Sequence, residues 1–295
     1  MQRIAGPAAL VLALAGTAAV AQERTFEETV ALEPGGRLSL DTSRGSVALA
    51  SWDRPEVEVR ARIAPPPQVD DNCAREAVDA VAIDVRRRDG AVDVRTDRSD
   101  APRCGWLRIL GQQRALARVH YEIRAPREVE LDLDINRADT TLGGFDGRIR
   151  VEVNRSRLDA EDLTGAIRLD LNRGRLDASA LAGTVRIDLN RSPSDLTGLR
   201  GALHLDANRT DVTLRGVRID DDSRMEVNRG DIDLELVDGQ ALTVDGRSQR
   251  SSITSDVPAT VQQRSDENGY EATINGGGPR LRIDANRSRV RLQPR

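Results

Sequence analysis

Apolar and polar residues alternate along most of this chain in short runs, and the runs end alike. In the clearest, Ile167, Leu169 and Leu171 fall on one side and Arg168 and Asp170 on the other, and Asn172-Arg173-Gly174 follows. Period two over such a stretch predicts a strand with one face buried. Leu176 and Ala178 then begin a second inward set, and Leu181-Ala182-Gly183 turns the chain back. The ending, Asn-Arg followed by a small residue, recurs at Asn136, Asn154, Asn172, Asn190, Asn208, Asn228 and Asn286. Successive copies from 136 to 208 lie 18 residues apart, the next step is 20, and the last follows a gap. A fixed period this short, with two strand segments and room for a brief third, predicts stacked coils. No single coil can bury its apolar face alone. The expected fold is therefore all-β, a single-stranded parallel β-helix or solenoid with coils of about 18 residues.

The rest of the chain is read against that period. Arg3, an apolar run from Ile4 to Ala15 and the ending Ala19-Val20-Ala21 predict a secretory signal peptide over residues 1–21, too short to span a bilayer. Residues 22–63 hold a first coil, with Ser43-Arg44-Gly45 at the bend and Asp41 at the acidic position, and a strand carrying Val57, Val59 and Ala61. Register is lost over 64–126, read as an elaboration on the N-terminal coils. Pro65-Pro66-Pro67 breaks structure, Asp71 to Ala80 predicts a helix capped by Asp71 or Asn72, and Asp89-Gly90 predicts a hairpin turn. Residues 127–295 form the regular array, continuous with what precedes it. Near its end a degenerate coil is expected with Gly246-Arg247-Ser248 at the bend, then an irregular stretch from Ser255 to Gly278. Leu281 to Leu292 is expected as the final coil, whose charged end from Arg287 blunts the open edge.

Composition agrees with a thin core. Aromatic residues make up 2% of the chain, and its apolar content is aliphatic. Charged residues are 31%, yet the net charge is only −4, so the signs are interleaved and no nucleic-acid footprint follows. Beyond the leader no long apolar run remains, and no integral membrane segment is expected. Cys73 and Cys104 are the two cysteines, and in an exported protein they predict a disulfide stapling the elaboration. Closing a loop of about 30 residues contributes on the order of 3–4 kcal/mol in the loop-entropy treatment.

Stacking turns each repeat position into a column with a rise of about 4.8 Å. The asparagines are expected to take the left-handed bend, which Asn tolerates, and to hydrogen-bond up their column. Arg137, Arg155, Arg173, Arg191, Arg209 and Arg229 would form a cationic column in which neighbours repel by roughly 1 kcal/mol in water. Nearby carboxylates, among them Asp159, Asp177 and the acidic column from Asp134 to Glu226, are expected to neutralise it as a salt-bridged face. The sharper expectation is that these arginines lie along an anionic polymer such as an acidic polysaccharide. Substituting Arg173 and Arg191 by Ala should then weaken a salt-sensitive association.

Catalysis has little support. The two histidines, His120 and His204, sit near no nucleophile pattern. Asp220-Asp221-Asp222 offers oxygen ligands without a calcium-loop spacing and reads as the extra turn of the 20-residue coil. No catalytic residue, metal or cofactor is assigned.

A secreted chain with the strand Gly36 to Leu49, the pair Trp52-Asp53, a strand from Tyr121 to Pro126 and repeats from Asn136 to Asn228 resembles the bacterial DUF4097 family of adhesin-type proteins. The chain departs from it in using Asn-Arg at the bend, where the family more often has Ser-Gly. The resemblance implies a right-handed β-helix-like solenoid; an 18-residue period would also fit a left-handed coil, whose hexapeptide rhythm is not found. The family's adhesin label carries no identified receptor; taken with the arginine column, the reading is a non-enzymatic protein of the periplasm or cell surface, with an envelope protein or an acidic polysaccharide as partner. A structural or assembly protein of the envelope is the second reading, and a polysaccharide-lyase-like enzyme the third.

Overall fold

The computed structural model describes residues 23–104, 113–263 and 269–295. The leader and Trp106 lie outside the described residues. Strands dominate, and the helix Asp71–Asp79 is the one helix among the described residues.

The 18-residue period is a stacking register. Ile149, Val151 and Val153 pair in parallel with Ile167, Leu169 and Leu171, which pair in turn with Val185, Ile187 and Leu189. Each coil sends about seven side chains inward; in one of them Ile167, Leu169, Leu171, Leu176, Ala178 and Leu181 are all buried. A column of like aliphatics at strand spacing fills this narrow interior and leaves little room for rings. Phe145 and Tyr121 are the large aromatic side chains buried in it.

Three corners close each coil. The first is the left-handed arginine. The second holds another positive-φ residue, such as Asp162, Ala180 or Gly198, and the third holds Gly147, Gly165, Gly183 or Gly201. At the third corner a Cβ on Gly183 would lie 2.3 Å from the Gly165 carbonyl oxygen, so the glycine is obligatory. The 20-residue coil spends its two extra residues at Asp220 to Asp222, just before the strand Ser223–Asn228.

Both ends depart from the sequence reading. At the N-terminal end the strand Arg37–Trp52 forms the expected coil, and the elaboration supplies another one outside it. Ala91 to Arg95 and Val119 to Pro126 pair in parallel with its two halves. Antiparallel strands then cover this end: Ala82–Arg88 on Ala91–Asp97, and Glu56–Ala64 on Arg118–Pro126. The helix begins one residue after its cap, Asp70, whose carboxylate accepts the Cys73 backbone N–H. It buries Cys73, Ala74, Ala77 and Val78, and Cys73 is bonded to Cys104 with Cα atoms 6.2 Å apart.

At the C-terminal end the last coil in sequence is not the last in space. Arg280–Asn286 lies between Ser223–Asn228 and Leu242–Gln249, and Arg289–Pro294 between Asp231–Leu236 and Ser252–Ser255. The chain thus skips one layer, makes the outer coil and a hairpin, and returns to fill the gap. Gly276 and Gly277, both with positive φ, begin the return. The irregular stretch contains the strands Ala259–Gln263 and Gly269–Ile274, and the second pairs antiparallel with Leu242–Gln249. That hairpin, rather than the charged end from Arg287, covers the edge. The terminal bend is Gln249-Arg250-Ser251, with Gln249 in register with Asn286, so the expected Gly246-Arg247-Ser248 is displaced by three residues. Gly246 is instead the seat of the Tyr270 ring.

Candidate functional site

The bend motif builds one continuous edge. Ser43, Asn136, Asn154, Asn172, Asn190, Asn208, Asn228, Asn286 and Gln249 follow one another in register through nine coils. The next residue in every coil is arginine, and it is the arginine that takes the left-handed conformation: φ lies between 53° and 61° at Arg44, Arg137, Arg155, Arg173, Arg191, Arg209, Arg229, Arg287 and Arg250. The asparagines do not. They end the extended strand, and the left-handed residue then keeps its own backbone N–H in the ladder, as Arg173 donates to the Asn190 carbonyl at 2.9 Å and Arg191 to Asn208 at 3.0 Å. The small third residue turns inward. Ser192, fully buried, donates from its hydroxyl to the Leu171 and Asn190 carbonyls and accepts the Gly174 N–H.

Arginine is an expensive choice at such a corner. A non-glycine residue in this region costs about 1 kcal/mol or more where Gly or Asn would cost less. The side chains do not recover that cost within the chain. Apart from half-buried Arg44 these arginines are exposed, and among the described residues none of the nine guanidinium groups makes a hydrogen bond or ion pair. The expected neutralisation fails, and most of the carboxylates expected to supply it are taken elsewhere. Asp159 and Asp177 hold Arg157, at 2.9 and 2.7 Å, and Asp177 and Asp195 hold Arg175. The Asp139 carboxylate accepts the Arg157 backbone N–H.

The acidic column lies three residues before the arginines. It runs Asp41, Asp134, Glu152, Asp170, Asp188, Asp206, Glu226, Asp284 in register, and an arginine stands beyond each end, Arg95 beside Asp41 and Arg247 beside Asp284. Its cationic partners come from the row two residues earlier. Arg168 bridges Asp170 and Asp188 at 2.9 and 2.8 Å, Arg224 bridges Glu226 and Asp284, and Arg150 meets Glu152. In the outermost coil this row carries a carboxylate, the buried Asp245, in reach of Arg280 and Arg282. Burial, then the hydrogen bond and charge of Asp170, push the Asp188 carboxyl up to about 6. Asp170 stays below the usual range: burial would raise it, but hydrogen bonds from Arg168 and Asp188 outweigh that. Burial, with Asp41 and Glu152 adjacent, raises Asp134.

Between the acidic and arginine columns the exposed asparagines form a middle row. They are aligned, but no hydrogen bond joins their amides among the described residues, so the expected amide ladder is a register without bonds. Acidic and asparagine columns together line a shallow groove of about 560 Å³ along five coils, from Asp134 to Asn208.

The residues weighed for chemistry are placed apart from this. His204 stands in the basic row between Arg186 and Arg224, its pKa lowered by burial and by those two charges. His120 shares a 2.8 Å hydrogen bond with the Ser46 hydroxyl on the opposite side of the coil, and burial followed by Arg62 and Arg118 lowers its pKa. Asp220 is held by Arg200 and Arg218, and Asp222 accepts the Arg280 backbone N–H. Sequence reasoning missed that the arginine column continues through Arg44, Arg287 and Arg250. Arg287 was legible in its intact motif and Arg44 in the Ser-Arg-Gly bend of the first coil; Arg250 was hidden behind a Gln in place of Asn. Of the two that end the acidic column, Arg95 carries no motif, and Arg247 is the residue expected at the bend of the outermost coil.

No helix among the described residues is long and apolar enough to cross a membrane. In overall shape the chain is similar to a putative cell adhesion protein from Clostridium sporogenes, at 9% identity over 92% of this chain and 100% of that one, with a TM-score of 0.28. It is also similar to putative adhesins from Bacteroides fragilis (10%, 92% and 97%, 0.31) and Parabacteroides merdae (10%, 91% and 96%, 0.27). No curated protein matches it. The profile of the Toastrack DUF4097 family matches residues 129–287, more than half of the chain and eight of the nine arginine bends, and the chain belongs to that family.

Proposed function

We propose that this protein is an exported, non-enzymatic, adhesin-like binding module of the cell envelope, and that its corner arginine column engages an anionic polymer. The observation that carries this reading is the coincidence of three properties at one repeat position: an arginine in nine successive coils, a backbone conformation that disfavours it, and a guanidinium left without a partner among the described residues. Evenly spaced exposed cations at a rise of about 4.8 Å make a linear site for a linear anion. Export is supported by the leader-like residues 1–21 and by the Cys73–Cys104 bridge, a bond of oxidising compartments. The assembly reading has less behind it, since antiparallel strands cover the coils at both ends.

The test is binding of the full mature chain to a panel of acidic and neutral polymers at low and physiological salt. Arg173→Gly combined with Arg191→Gly removes two charges while relieving the backbone. The expected result is binding to anionic polymers that salt weakens and the double variant reduces severalfold. Binding that neither salt nor the substitutions alter would defeat the proposal.

A further inference from the structure

The arginines are only one edge of a wider stripe. Across one strand the outward residues run carboxylate, amide, guanidinium, as in Asp170, Asn172 and Arg173, and the next coil repeats them in register with Asp188, Asn190 and Arg191. The groove between them is floored by the carboxylates and amides and open along the coil axis. Its chemistry is selective. A carboxylate only accepts hydrogen bonds, and an amide both donates and accepts. The floor therefore suits hydroxyl groups and repels anions, while the arginine rim suits anions.

A ligand satisfying both sides carries acid groups along one edge and hydroxyls along its face. We infer that the ligand is a carboxylated polysaccharide with an acid group on successive sugars, seated with its carboxylates on the arginine column and its hydroxyls over the asparagine and acidic columns. This rests on the reading that the arginine column binds a polyanion, and narrows it. A polyphosphate or single nucleic-acid strand fits poorly. Its anionic oxygens point to all sides of the chain, so some of them would face the acidic column. No aromatic side chain lines the groove to stack a base.

The acidic column adds a second selectivity. It runs parallel to the arginines three residues earlier in each coil, so it discriminates against a ligand anionic on both edges. Asp206 and Asp134 have no ion-pair partner among the described residues, because the basic row carries His204 and Asp132 beside them. The floor is thus most acidic toward its two ends.

The test compares four probes on the full mature chain at one pH and low salt: a polyuronate, the same polyuronate with its carboxylates methyl-esterified, inorganic polyphosphate, and a neutral glucan of similar length. Two amide variants are added, Asn172→Ala with Asn190→Ala, and Asn172→Asp with Asn190→Asp. Both sit at exposed positions, and melting curves verify their folding. The expected result is tight binding of the polyuronate alone, with at least tenfold weaker binding of polyphosphate. Esterification should abolish binding, the alanine pair should weaken it about fivefold or more, and the aspartate pair should weaken it further. Polyphosphate binding as tightly as polyuronate, or amide variants that leave polyuronate affinity unchanged, would overturn the carboxylated-polysaccharide assignment. If the arginine double variant still loses binding in that case, the broader anion-binding reading survives. Failure of every polymer to bind removes both.

Discussion

At the scale of single residues, the corner arginine separates backbone demand from side-chain use. The backbone there needs φ near 57°, which glycine meets without cost, so Arg173→Gly trades relief of strain against a more flexible unfolded chain. Its effect on stability should stay within about 1 kcal/mol. Arg173→Val, β-branched in the same conformation, should cost about 1–3 kcal/mol. Denaturant titration of both variants checks this, and equal losses would mean that the arginine side chain itself holds the fold. The third-corner glycines behave oppositely. Gly183→Ala drives a Cβ onto the Gly165 carbonyl, with φ at +111°, and should lower stability by more than about 2 kcal/mol. Asp188 supplies a pH dependence. Its carboxyl titrates near 6 in the folded chain, above its ordinary value of 3.8, so the folded state holds more protons in that window. Stability should therefore fall as pH rises from about 4 to 6 and level off above. Asp170, Asp206, Arg168, Arg186 and His204 surround the group. Thermal melts of Asp188→Asn across this range should decline less steeply than those of the parent, and identical profiles would refute the assignment.

At the scale of elements, the stack is held differently at its two ends. The N-terminal end is covered by antiparallel strands and carries a helix whose buried face is small, four residues of which the largest is Val78, and the disulfide compensates for it. Reduction, or Cys73→Ala with Cys104→Ala, should cost on the order of 2–4 kcal/mol. Polymer binding should be unchanged, because the columns lie on other strands. Melting with and without reductant, followed by the binding assay, separates the two effects. At the other end the returning coil is paired on both sides. Ile283 is fully buried beneath Gly246 and above Met225, so Ile283→Ala should cost about 2–5 kcal/mol despite lying twelve residues before Arg295. Hydrogen exchange should show the amides of 281–286 as protected as those of 225–228. Rapid exchange there would contradict the inserted position.

At the scale of the whole molecule, stability and recognition use the same repeat without sharing residues. Inward columns of Leu, Ile and Val supply the core, glycines and serines make two of the corners possible, and most outward charges neutralise one another along the coils. Among the described residues the arginine corner is a charged column in which this neutralisation is absent throughout, which is why the binding proposal is placed there. A surface of this kind has low net charge and a strong local pattern, so its contacts should respond to salt more steeply than the net charge of −4 suggests.

The sequence by itself determined the coil. Period two along each strand and an 18-residue repeat leave one way to bury the aliphatic positions, and the identity of the repeated residues sets the columns. It also determined the Cys73–Cys104 pair and the extra turn at Asp220 to Asp222. Tertiary structure alone decided which residue of Asn-Arg takes the left-handed bend, because local preference favours Asn while the stacking ladder needs the turn one residue later. It decided which carboxylates reach which arginines, since that depends on neighbours 18 or 20 residues away competing for the same groups. It also decided the order of the coils. A repeat written in sequence says that each coil must have neighbours but not which ones, and only the packing of Arg280–Asn286 between two earlier strands reveals that the end of the chain lies inside the stack.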